Sequence, residues 1–296
     1  MIEKNTISRK VFNILNYGFM ICFGILCILP IWHVVMASVS NPRLLMASSG
    51  IIWKPLGEPT LKGYQLVLRN HEVWTGYLNT FIYVAWSALV GTAFTALAGF
   101  LVSRKNFLAA KPLTLFIMFT MMFSGGLIPS FMVVRSLGMV NTRWALMIPG
   151  LMNAFYIMMM KSAFEQLSPS FEESAKLDGA GVLTTLVRIL LPLVKANVAV
   201  VIMFTVVMQW NSWYPASIYL VKRRDYWPLQ LFIRELLVQN DASKVLSGSD
   251  AAAAADFTSN LVKYCTTVVG TLPVLLAYPF AQKYFVTGVT LGGVKG

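Results

Sequence analysis

The sequence predicts an all-α, polytopic membrane protein with six transmembrane helices. Three observations carry that expectation. Of 296 residues, 57% are hydrophobic and only 12% are charged, against about 25% charged in an average soluble domain. Mean hydropathy is +0.66. The apolar residues also fall in runs, and six of these approach the roughly 20 residues needed to cross a hydrocarbon core about 30 Å thick. A soluble fold of this length cannot hide so much apolar surface around one core.

The first run is Val11–Ser38, interrupted by Pro30. Lys4, Arg9 and Lys10 precede it, as in a signal peptide, but the run is too long and lacks a good small-residue cleavage site. It therefore reads as a retained span. The second run, Phe81–Val102, is rich in Ala, Gly and Thr, which suits close helix packing. The third, Leu113–Val134, holds Gly125, Gly126 and Pro129 and is expected to be broken or kinked. The fourth is Trp144–Met160, the fifth Asn197–Trp213, and the sixth Leu261–Ala281 with Gly270, Pro273 and Pro279. Six spans place the long segments 39–80 and 214–260 on one side, with both termini and the segment 168–192 on the other. Both long segments carry aromatics, among them Trp53, Tyr64, Trp74 and Tyr77 in the first and Tyr226 and Trp227 in the second. Apart from the short run Ala251–Ala255 there is no repeat or low-complexity stretch, and the chain reads as one domain over 1–296.

Ser168–Pro192 is a polar island in this apolar chain. Ser168 before Pro169 marks one helix start, and Ser170 with Glu173 has capping-box spacing for another. Phe171 to Leu177 makes about two turns, and Gly179 stops them. Val182 to Leu190 restarts a helix, which Pro192 is expected to end. Glu173-Ser174-Ala175, three residues, Gly179, nine residues, then Ile189 and Leu191-Pro192 resembles the EAA loop of ABC importer permeases. Ser174 stands where the family has Ala. Asp178 before Gly179 matches the form common in sugar importers. Tyr64–Asn79, ending Gly76-Tyr77-Leu78-Asn79, and the tail Gln282–Gly296 resemble the smaller, MalG-like permease of carbohydrate importers.

The resemblance implies an ABC type I importer permease fold. It implies a bacterial cytoplasmic-membrane location and a function as one permease of an ATP-driven carbohydrate or oligosaccharide importer. The expected partners are a second related permease in a heterodimer, two ATPase subunits that bind ATP and Mg, an extracytoplasmic solute-binding protein, the sugar and membrane lipid. Glu173, Ser174, Ala175, Asp178 and Gly179 are then the ATPase-coupling positions, and Ile189, Leu191 and Pro192 pack the loop on the membrane domain. The glycine-rich tail Gly288–Gly296 is a further candidate ATPase contact. A permease for a non-sugar solute, or an ion-coupled carrier, remains an alternative.

Charge and motif content agree with this reading. The net charge of +12 comes from basic residues scattered between apolar runs, with no aromatic–basic stripe for nucleic acid. Their count is even on the two sides. The rule that cationic loops stay inside discounts long loops, so it favours cytoplasmic termini; the EAA-like loop gives the same orientation. Apart from Lys263 at the flank of the sixth, the spans hold no Asp, Glu, Lys or Arg, and His33 is their one imidazole. Ion-coupled carriers place ionisable groups there. No Gly-x-x-x-x-Gly-Lys-Ser/Thr loop is present, so the chain is expected to bind no ATP and to catalyse nothing itself. Cys22, Cys27 and Cys265 lack metal spacing, and no metal or other cofactor is expected. Sugars are held by aromatic faces, amides and hydroxyls. The candidate solute path is therefore Met121, Phe123 and Ser124 at the third-span break, Asn153 and Tyr156 in the fourth, and Gln209, Trp210, Asn211, Trp213 and Tyr214 at the end of the fifth.

Overall fold

The computed structural model describes residues 7–238 and 260–279, and every regular element among them is helical. The tail 282–296 and the alanine run 251–255 lie outside the described residues. α1 (Ile7–Ser38) runs unbroken through Pro30. A break there would expose backbone polar groups to lipid, which costs more than the one donor a proline removes. α2 (Pro42–Ala47) is capped by Asn41, whose side chain accepts a hydrogen bond from the Arg43 N–H at 3.1 Å. α3 (Lys62–Arg69) follows.

α4 (His71–Ser103) begins at His71 rather than Phe81, so much of the expected loop 39–80 is helical. Its 33 residues make it about 50 Å long, well over the hydrocarbon thickness. A π turn at Ser87–Gly91 interrupts its regularity. Beside that turn the Leu151 carbonyl approaches so closely that a Cβ on Gly91 would lie 2.6 Å from it.

The third apolar run is two helices, α5 (Ala110–Met122) and α6 (Leu127–Ser136), with axes 120° apart. The break is Phe123–Gly126, where Gly126 has φ +83°, a left-handed conformation that glycine adopts freely. The fourth is not one helix. α7 (Trp144–Met147) stops before Pro149 and Gly150 (φ +75°), and α8 (Ala154–Glu165) starts afresh at a cap made by Asn153. Twelve residues of α8 rise about 18 Å, short of a full crossing. α9 (Ser170–Leu177) precedes α10 (Val182–Leu193), and α11 (Lys195–Trp210) leaves α10 at 86°. Pro192 lies inside the last turn of α10 and does not end it; the bend falls at Val194. α12 (Tyr214–Tyr219), α13 (Leu229–Val238) and α14 (Asn260–Pro279) complete the described chain. By length and composition α1, α4 and α14 can cross a membrane, and the two bent pairs bring the number to five at most among the described residues.

The chain falls into two compact units, one within Met1–His71 and Glu235–Thr271, the other within Glu72–Arg234 and Leu272–Gly296. In the first, His33 is structural: its Nδ1 accepts the Ile52 N–H at 3.0 Å. Gly63 of α3 lets α14 approach, since a Cβ there would meet Cys265 Sγ at 2.6 Å. In the second, the core joins Phe100 of α4, Met160 and Phe164 of α8, Leu186 and Leu190 of α10, and Val201 of α11.

Candidate functional site

The polar island folds into α9, an elbow and α10. Ser168 Oγ accepts the Ser170 N–H at 3.4 Å, so the earlier of the two possible starts is used. Glu172 and Glu173 occupy the first turn, where carboxylates suit the helix dipole. The elbow is a Schellman closure: Ala180 N–H reaches Ala175 O at 2.8 Å and Gly179 N–H reaches Lys176 O at 3.0 Å. Gly179 has φ +76°, and a Cβ there would meet nothing within 4 Å. The glycine is therefore required by backbone conformation and not by crowding.

One face of this loop is tied to the membrane core. Ala175 is buried, as are Thr185, Leu186 and Leu190 in the π turn Thr185–Leu190. Ile189 and Leu191 are half-buried against the same core, and Pro192 is exposed. Arg104, just past the end of α4, forms an ion pair with Glu172 and donates to Phe164 O at 3.4 Å. Burial lowers its guanidinium from the ordinary value, while the Glu165 carboxylate works the other way. The opposite face is bare: Glu173, Ser174 and Asp178 are exposed. So are Leu177 at 89%, Leu183 at 68% and Val182 at 66%. Exposed apolar side chains beside exposed charged ones make this face a candidate docking surface.

The candidate solute-path residues do not converge. Asn153 Oδ1 accepts the Phe155 N–H at 2.9 Å and caps α8. Asn211 Nδ2 donates to Val207 O at 2.8 Å at the end of α11. Trp210 is buried against Tyr77 and Phe81. Tyr156 is also buried, its hydroxyl 2.9 Å from Met208 Sδ. Met121 is exposed; Phe123, also exposed, stacks on Phe119, and Ser124 Oγ accepts the Gly126 N–H at 3.2 Å. Trp213 carries the Arg234 guanidinium 3.9 Å over its ring and meets Tyr214 edge-on. Gln209 differs: it lines a cavity of about 320 Å³ together with Tyr83, Ser212 and Tyr219.

That cavity depends on residues whose roles are tertiary. Asn79 Nδ2 donates to the Asp225 and Trp227 carbonyls at 2.8 and 3.1 Å, while its Oδ1 accepts from Arg143 Nη2 at 2.9 Å. Tyr83 donates to Tyr226 O at 2.8 Å. Gly76 admits the backbone of Leu229, whose Cα would lie 3.0 Å from a Cβ there. The segment 225–229 is thus pinned to the N-terminal part of α4. Arg223 forks onto Asp225 at 3.0 and 2.9 Å and holds that carboxyl below its ordinary pKa. The one sequence signal for this clamp is the stretch ending Gly76-Tyr77-Leu78-Asn79.

No protein-family model matches the chain. Curated relatives do. The polygalacturonan/rhamnogalacturonan transport system permease protein YtcP of Bacillus subtilis strain 168 is 34% identical over 98% of this chain and 100% of its own length. The maltodextrin transport system permease protein MalD of Streptococcus pneumoniae is 29% identical over 98% of each. Among solved structures, a bacterial ABC transporter involved in the import of the acidic polysaccharide alginate matches with a TM-score of 0.84 and 28% identity. That match covers 96% of this chain and 99% of the other.

Proposed function

The chain belongs to the permease-subunit family of ABC carbohydrate importers, and on that premise we propose that it forms one half of the path by which an oligosaccharide enters a bacterial cell. Its counterpart is a second, related permease in a heterodimer. Two ATPase subunits bind ATP and Mg and do the hydrolysis; this chain carries no cofactor and no catalytic residue. An extracytoplasmic solute-binding protein delivers the sugar. The fold is inserted in the cytoplasmic membrane as a single functional domain of six crossings, the broken run of α7 and α8 adding the sixth to the five that helix length and composition allow among the described residues. Both termini and 168–192 are inside, with 39–80 and 214–260 outside.

The observation that carries this reading is the two-faced loop α9–Gly179–α10. Its inner face is fastened by Ala175, by the π turn and by the Arg104–Glu172 pair. Its outer face presents Glu173, Ser174, Asp178 and bare leucine and valine side chains. A loop rigidly joined to the core and bare on its far side transmits a partner's movement instead of absorbing it. We assign that partner as the ATPase, with Ile189 and Leu191, half-buried against the core, anchoring the loop's return to the membrane. Carbohydrate as cargo is supported by the relatives, which are named for polygalacturonan, rhamnogalacturonan, maltodextrin and alginate transport.

The test is reconstitution of the whole importer in proteoliposomes with ATP inside and the loaded binding protein outside. Glu173→Arg reverses charge on an exposed site, so the complex is expected to express at wild-type level while ATP-dependent sugar uptake is lost. Normal uptake by this variant would remove the loop from the coupling role.

A further inference from the structure

The cavity beside α11 holds polar groups that no described residue bonds. Gln209, Ser212 and Tyr219 all line it, and none of their side-chain polar groups has a hydrogen-bond partner among the described residues. None of these groups is sealed off from the cavity, so each is open to water or to a solute that offers matching hydroxyls. The volume of about 320 Å³ lies at the lower end of small-ligand pockets, about 300–1,000 Å³. It is therefore far too small for a polymer and suited to a single ring.

The walls favour a sugar ring over other small solutes. Tyr219 is held flat by stacking on Phe131 at 6.2 Å and 9°, which fixes one aromatic wall. Tyr83 is fixed by its bond to Tyr226 O, and Pro215 and Pro228 add rigid C–H surfaces. A pyranose has C–H faces for such walls and hydroxyls around its edge. Gln209 supplies both a donor and an acceptor, and each hydroxyl can do either. No cation is among the described residues that line the cavity; the Arg143 guanidinium, which lies close to Tyr83, donates to Asn79 Oδ1 at 2.9 Å.

We propose that this cavity is a glycosyl-binding subsite supplied by this chain, reading one pyranose ring of the passing oligosaccharide through Gln209, Ser212 and Tyr219 by its hydroxyls and not by charge. Neutral and uronic-acid rings are accepted alike. This rests on carbohydrate being the cargo.

The experiment uses the reconstituted importer with Ser212→Cys in a background where Cys22 and Cys27 are serine. Maltotriose is the neutral probe and trigalacturonate the acidic one. Each sugar is expected to slow modification of the new thiol by a small permeant maleimide. In parallel, Tyr219→Phe and Gln209→Leu are expected to raise the KM of uptake about tenfold each, the loss of roughly one hydrogen bond. Should Gln209→Leu fail to assemble, Tyr219→Phe removes a single oxygen and carries the same expectation. If the unmodified importer takes up either sugar while neither protects the thiol and both variants keep the wild-type KM, the subsite is wrong and the carbohydrate premise stands. Protection by trigalacturonate alone overturns recognition by hydroxyls. Failure of the unmodified importer to take up any sugar sinks the premise, and the subsite with it.

Discussion

At the scale of single residues, Gly179 and Glu172 have different jobs. Gly179 sits at φ +76° with open space where a Cβ would go, so a side chain costs backbone strain of about 1–2 kcal/mol and no clash. Asparagine tolerates that conformation far better than valine. Gly179→Asn is thus expected to keep most ATP-dependent uptake and Gly179→Val to lose it; equal loss in both would mean that a side chain here obstructs the partner. Glu172 acts through Arg104. Both side chains are about four-fifths buried, so the pair is less screened than a surface one. A double-mutant cycle with Arg104→Gln and Glu172→Gln, read by thermal unfolding in detergent, should give a coupling of about 1 kcal/mol. A coupling near zero would free α9 from this anchor.

At the scale of elements, helix ends decide what the amides do. Asn153 reads as a polar group at membrane depth and hence as a solute ligand. In the fold Pro149 and Gly150 break the apolar run before it, and the restarted α8 needs a cap. Asn153→Ala is expected to cost about 1 kcal/mol of stability and leave the KM for sugar unchanged. A raised KM at unchanged stability would return it to the path. The contact of α4 with α8 depends on Gly99, where a Cβ would lie 2.6 Å from Met160 Cβ and 3.0 Å from the Lys161 nitrogen. Gly99→Val should therefore abolish assembly of the permease into the complex, checked by co-purification with the ATPase. Normal recovery of the complex would mean that the two helices can separate at no cost.

At the scale of the whole molecule the orientation is the quantity to measure. Ser170 and Ser49 are both exposed and lie on opposite sides in the proposed topology. In a background with Cys22, Cys27 and Cys265 replaced, Ser49→Cys should react with a membrane-impermeant thiol reagent on intact spheroplasts. Ser170→Cys should react only after permeabilisation. The reverse pattern would invert the topology and separate the loop from the ATPase.

Sequence alone determined the membrane class, the loop and its elbow, because each is written in local chemistry. Apolar run length sets what can cross lipid, and Asp178-Gly179 closes a helix wherever it stands. It also marked the break at Gly125-Gly126. What it did not contain were contacts between residues far apart. Phe81 opens an apolar run, yet α4 starts at His71, because Gly76, Asn79 and Thr80 are occupied by the segment around 225–229. Leucines and methionines from Trp144 to Met160 read as one span, but Pro149 and Gly150 turn the backbone within it. Gln209, Asn211 and Asn153 look equivalent in a string of letters. Only the tertiary structure separated them, since an amide beside a free helix end is consumed by the backbone, as Asn153 and Asn211 are, while Gln209 faces a cavity.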